Sequence, residues 1–144
     1  MKQAILVILL IAAGAWLADM HVAAQTYHPV IKVAAPEGLT YTVVQEPTGD
    51  RGACGAANDR FLGPFKTLCK KCQVLYARCA RELEGVELSM QDGKPIPAPL
   101  VHAQGLRIAV EGPAAAAKSA CEFIVGDLVS RGVPTAACIY PKPG

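Results

Sequence analysis

The placement of the cysteines constrains this chain most. All six (Cys54, Cys69, Cys72, Cys79, Cys121 and Cys138) lie downstream of an N-terminal segment with the pattern of a secretory leader. Lys2 gives it a positive start, Ala4 to Ala18 is an apolar run of 15 residues, and Val22-Ala23-Ala24 places small residues before Gln25. That order of charge, apolar stretch and small-residue site defines a signal peptide. A spanning helix needs about 20 apolar residues, so the run is short for a permanent anchor. An inner-membrane anchor through residues 4–20 is the alternative. The reading is therefore a signal peptide over 1–24, an extended lead-in over 25–38 and one domain over 39–144. A secreted or periplasmic location follows, with membrane contact only transient, through the leader. In such a compartment an even number of cysteines reads as a disulfide framework.

Composition narrows the partners. A hydrophobic share of 52% with 18% charged residues excludes wholesale disorder. A net charge of +2 offers no clustered basic surface, so nucleic acid is not an expected partner. The single Trp, Trp16, belongs to the leader, which leaves the remaining domain with few aromatic residues. A small domain with a thin core gains most from covalent staples.

Element signals follow in order. Pro29 and Pro36 exclude a helix in the lead-in, where Tyr27, Val30, Ile31 and Val33 suit a short edge strand. Leu39 to Glu46 is rich in Thr, Tyr and Val and reads as a strand. Asp50 is an N-cap for a helix over 51–71, which Gly63-Pro64 should kink or break. Cys72 to Cys79 reads as a strand with Leu75, Ala77 and Cys79 on one face and Val74, Tyr76 and Arg78 on the other. Residues 80–104 are a long connection that is functional or carries its own hairpin. Leu106 to Glu111 alternates as a half-buried strand. Pro113 opens a helix that Gly132 and Pro134 close, and Thr135 to Tyr140 is the last strand.

The order strand, helix, strand, strand, helix, strand predicts an α+β, ferredoxin-like βαββαβ sandwich. It has a four-stranded antiparallel sheet with two helices on one face. Each half runs from a strand through an Ala- and Cys-bearing helix to a Cys-bearing strand, a faint internal duplication.

Geometry ranks the cysteine pairs. Cys121 lies roughly 15 Å along the helix axis from its end, and Cys138 roughly 17 Å into the following strand. Helix and strand run antiparallel, so the two come level and should bridge. The same argument pairs Cys54 with Cys79 and leaves Cys69 with Cys72. Two other readings compete. Cys69-x-x-Cys72 has the spacing of a thiol–disulfide oxidoreductase. It sits where a helix ends, however, and the helix dipole there opposes a thiolate. Zinc held by Cys54, Cys69, Cys72 and Cys79 needs reduced thiolates, against the oxidising compartment.

Other chemistry is sparse. His28 and His102 lie in irregular segments without a motif partner and read as surface residues. Glu82, Glu84 and Glu87 share no helical face and read as solvated. No nucleophile elbow, P-loop, cofactor motif or metal motif is present. In the expected sandwich one sheet face is open, and it carries Tyr76, Arg78, Arg107 and Glu111. An exposed Tyr with two Arg on adjacent strands suits a carboxylate, a sugar or a partner loop. The spacing Ala116, Ala120, Ile124, Leu128 and Gly132 is similar to the second half of sporulation-related peptidoglycan-binding domains. The similarity covers one helix and has no matching first half, and six cysteines depart from that family. It implies peptidoglycan as one ligand class.

The functional expectation is an exported, disulfide-stabilised, non-catalytic binding or assembly module acting on an envelope protein or polymer. The alternatives are the thiol–disulfide enzyme and an envelope-polymer binder. N-terminal sequencing of the exported protein should begin at Gln25; a start at Met1 would establish the anchor instead.

Overall fold

The computed structural model describes residues 25–143, so the expected leader and its boundary at Gln25 lie outside the described residues. The domain is α+β, with a six-stranded sheet. Its elements are β1 (His28–Ala34), β2 (Thr40–Gln45), α1 (Arg51–Leu68), β3 (Gln73–Ala80), α2 (Gly85–Gln91), β4 (Leu100–Ala103), β5 (Leu106–Glu111), α3 (Ala114–Ser130) and β6 (Ala137–Ile139). The strands run in the order β3-β1-β2-β5-β4-β6, and every neighbouring pair is antiparallel. Among the described residues no helix is long and apolar enough to cross a membrane.

The four-stranded ferredoxin-like expectation is corrected on this point. A β–α–β crossover leaves a gap between its two parallel strands, and some strand must fill it. In the ferredoxin-like arrangement each half fills the gap of the other. Here each half fills its own. β1 lies between β2 and β3, and β4 lies between β5 and β6. The chain is thus a hairpin–helix–strand unit used twice. The two units join through β2 and β5, with Val43 opposite Ile108. The order of the first unit, β3-β1-β2, is mirrored by β5-β4-β6, as a two-fold axis normal to the sheet requires.

Both extra strands have physical reasons. The expected edge strand in the lead-in is the central β1, in which Val30, Ile31 and Val33 are fully buried. Val30 and Ile31 are buried on opposite faces, so the strand shows no simple alternation, and Lys32 interrupts its apolar residues. Pro29 is tolerated near its start, where a missing donor costs least. β4 was hidden in the long connection and pairs with β5 across the turn at Gln104-Gly105, where Gly105 has φ 70. A positive φ at the second turn position suits a two-residue hairpin loop, and glycine adopts it freely.

α1 and α3 cover one face. Ile31, Val33, Val43, Leu62, Val101, Ile108, Val110, Ala117 and Cys121 form the core between them and the sheet. Asp50 caps α1, its Oδ1 accepting from Ala53 N at 2.7 Å. α1 runs through Pro64 as one helix, so the expected break does not occur. Pro64 lies on the exposed side, so water can satisfy the carbonyl that loses its partner. α3 ends as expected at Gly132 (φ 95), with Val133 N donating to Leu128 O and Gly132 N to Val129 O. This double closure satisfies the last carbonyls of the helix.

The other face is not open. The connection between the halves, residues 81–99, carries α2 rather than a hairpin and crosses that face. Val30, Val44, Leu83, Met90, Ile96, Ala98, Leu100 and Ala109 form a second core beneath it. The alternation of β3 is also corrected. The register shifts between Lys32 and Val33, leaving Leu75 as the extra residue of a bulge. Val74 therefore packs on the helix side with Ala77 and Cys79, while Tyr76 and Arg78 stay on the opposite side.

All six cysteines are disulfide-bonded. The pairs are Cys54–Cys79, Cys69–Cys72 and Cys121–Cys138, with Cα separations of 5.9, 5.4 and 6.0 Å. Two of them repeat one device, tying the helix of a unit to its outer strand. Their sequence separations are 25, 3 and 17. Loop-closure entropy then ranks the losses on removal at about 3.5 kcal/mol for Cys54–Cys79, about 3 for Cys121–Cys138 and about 1.6 for Cys69–Cys72. Paired Cys→Ala variants followed by urea unfolding should give that order.

Candidate functional site

The four residues expected on an open face do share one face of the sheet, opposite α1 and α3, but they do not act together. Tyr76 and Arg78 project from β3 toward α2. The Tyr76 hydroxyl donates to Glu87 Oε1 at 2.8 Å, and the Arg78 guanidinium pairs with Glu87 Oε2. The guanidinium also lies 5.5 Å from the Tyr76 ring centre. Glu87, expected to be solvated, is only 7% exposed. This cluster pins α2 to the edge of the sheet. Burial first, then the hydrogen bond to and charge of Glu87, holds the Tyr76 hydroxyl above the usual tyrosine range. Burial pulls the Arg78 pKa down, but the bond to and charge of Glu87 outweigh it and leave the value raised. Glu111 lies at the other end of the face, 3.9 Å from Lys32 Nζ.

Arg107 is placed differently. It lies directly opposite His102 across the β4–β5 pair. Both line a cavity of about 250 Å³ between the 93–98 segment, the sheet and the chain that follows β6. Met90, Ile96, Leu100 and Ile139 form much of its apolar wall, and Lys94 and Lys142 complete its polar lining. Lys94 is already paired with Asp92 at 3.2 Å. The side chains of Arg107, His102 and Lys142 have no partner among the described residues. Among the described residues no carboxylate lines the cavity. Tyr140 fixes the wall beyond β6, its hydroxyl donating to Glu122 Oε1 at 3.0 Å.

The sequence pointed to Arg107 and missed His102. The usable signal was a hairpin: an apolar Leu100-Val101, a glycine-bearing two-residue turn, then the alternating strand Leu106 to Glu111. Pairing across that turn sets His102 against Arg107.

A second concavity, about 520 Å³ and wide open, lies beside α3 and is lined by Leu39, Tyr41, Ala116, Ala120 and Phe123, with Glu37 at its rim. Phe123 is 78% exposed. Burial first, then the charge of Glu37, raises the Tyr41 pKa.

The Cys69–Cys72 bridge follows the last turn of α1, with Cys69 N donating to Phe65 O at 2.9 Å. It occupies the negative end of the helix dipole, which disfavours a thiolate there. The four cysteines considered as zinc ligands are all in disulfides, and no group of three or more potential ligands that could hold a metal occurs among the described residues.

Comparison of the chain with protein-family models, curated proteins and solved structures finds no match in any of the three. The similarity of α3 to sporulation-related domains therefore has no support at the level of a family.

The Glu87 cluster yields a stability test. In Arg78→Leu the buried carboxylate keeps only the Tyr76 hydroxyl. A charge left uncompensated is destabilising even where the pair itself adds little. Arg78 is 44% exposed at its side chain, so the loss is reduced by solvent screening to about 1–2 kcal/mol. The double variant Arg78→Leu/Glu87→Leu should recover part of it in urea unfolding.

Proposed function

We propose that this protein is an exported binding module of an oxidising compartment, with the sheet face around Arg107 as its recognition surface. The observation that carries this reading is the cavity lined by Arg107, His102 and Lys142, which have no partner among the described residues, on a disulfide-locked frame. Three disulfides fit an environment that keeps thiols oxidised. The apolar leader pattern supports delivery there. A groove with apolar walls and a few convergent polar groups is the usual form of a ligand site. The partner is an envelope protein or polymer with an acidic group for Arg107. The module carries out no thiol chemistry, since Cys69–Cys72 lies at the helix end least suited to it.

Sedimentation with isolated envelope fractions tests the reading. Binding should be saturable, reduced severalfold in Arg107→Ala and retained in Arg78→Ala, whose guanidinium is engaged by Glu87. Equal binding by wild type and Arg107→Ala would remove this face. Insulin reduction that depends on Cys69 would replace the binding reading with the oxidoreductase.

A further inference from the structure

From the cavity itself we infer its ligand class: a compact organic carboxylate whose charge meets Arg107 and His102 and whose apolar body fills the space between Ile96, Leu100 and Ile139. The inference rests on the reading of this face as a recognition surface and adds the chemistry it recognises.

Three observations carry it. The first is charge. Among the described residues, Arg107, His102 and Lys142 line the cavity without partners, and no carboxylate lines it. A guanidinium at the wall of a partly enclosed cavity, with no acceptor among the described residues, is free to take an anion in a charge-assisted hydrogen bond. The planar fork of Arg matches a carboxylate in particular. His102, its cross-strand neighbour, offers a second donor on the same side.

The second is size. One water takes roughly 30 Å³ of liquid. A volume near 250 Å³ therefore holds about eight to ten non-hydrogen atoms. That suits a short-chain or arylacetic acid and is too small for a folded segment or a long acyl chain.

The third is the division of the lining. The polar side chains stand on β4, β5 and the two flanking chain segments, while Ile96, Leu100 and Ile139 supply apolar surface. An inorganic anion would leave that surface wet, and a neutral apolar molecule would leave the cations unpaired. An amphipathic monoanion satisfies both.

Phenylacetate is a suitable probe, with phenylacetamide as its neutral isostere and acetate as the anion without a body. Calorimetric titration of the disulfide-intact domain, with His102 ring signals followed by NMR, should show saturable phenylacetate binding that shifts those signals. Phenylacetamide and acetate should each bind about tenfold or more weakly, the loss expected for a charge-assisted contact or for the apolar contact. Arg107→Gln should lose about tenfold. Lys142→Ala, in the chain beyond β6, should lose severalfold without disturbing the sheet and keeps the test decisive if Arg107→Gln fails to fold. The inference is overturned if phenylacetamide binds as well as phenylacetate, if both variants bind like wild type, or if nothing saturates at millimolar concentration. Envelope binding that persists while phenylacetate fails would refute the ligand class alone. Loss of both would refute the recognition surface.

Discussion

Each of the two long helices is tied to the sheet by a disulfide as well as by apolar packing. α3 has 17 residues, yet only Ala117 and Cys121 are buried. α1 has 18, and buries Cys54, Asn58 and Leu62. Full burial of a Leu-sized side chain contributes about 1.5–3 kcal/mol, and α3 has none at that level. In each helix one of the few buried residues is the cysteine bridged to the outer strand of its unit. The same bond that docks the helix therefore also fixes the strand. Asn58 adds a polar clasp on the first unit, donating to Arg78 O and accepting from Gln45 Nε2, both at 3.1 Å.

Duplication explains how so small a core supports six strands. Each unit closes its own crossover with its own hairpin, and antiparallel pairing of β2 with β5 merges two three-stranded sheets. The two-fold relation is broken on the face opposite the helices, because a single connection, residues 81–99, must cross from β3 to β4. Glu87 anchors it at one side through Tyr76 and Arg78. At the other side it leaves the cavity beside β4, β5 and β6. The candidate site thus occupies a place that only one unit possesses.

Much of the local structure was legible. Asp50 as a cap, Gly132 as a stop and the alternation of Leu106 to Glu111 each depend on interactions within a few residues. The helix-to-strand cysteine pairs were legible for the same reason, since rise per residue converts sequence distance into height. β1 was misplaced at the edge because a strand buried on both faces shows no alternation. Glu87 looks solvated in sequence because its partners, Tyr76 and Arg78, approach from another element. Arg107 and Arg78 looked equivalent in sequence, and only packing separates a guanidinium engaged by a buried carboxylate from one left without a partner.

Local sequence pattern carries the α+β class and the disulfide framework: six cysteines, few aromatic residues after residue 24 and short alternating or capped segments each act over a few residues. Packing sets what fills each crossover gap, which sheet face is covered, and where unpaired charge collects. Those outcomes depend on contacts between residues distant in the chain, whose geometry no local pattern encodes.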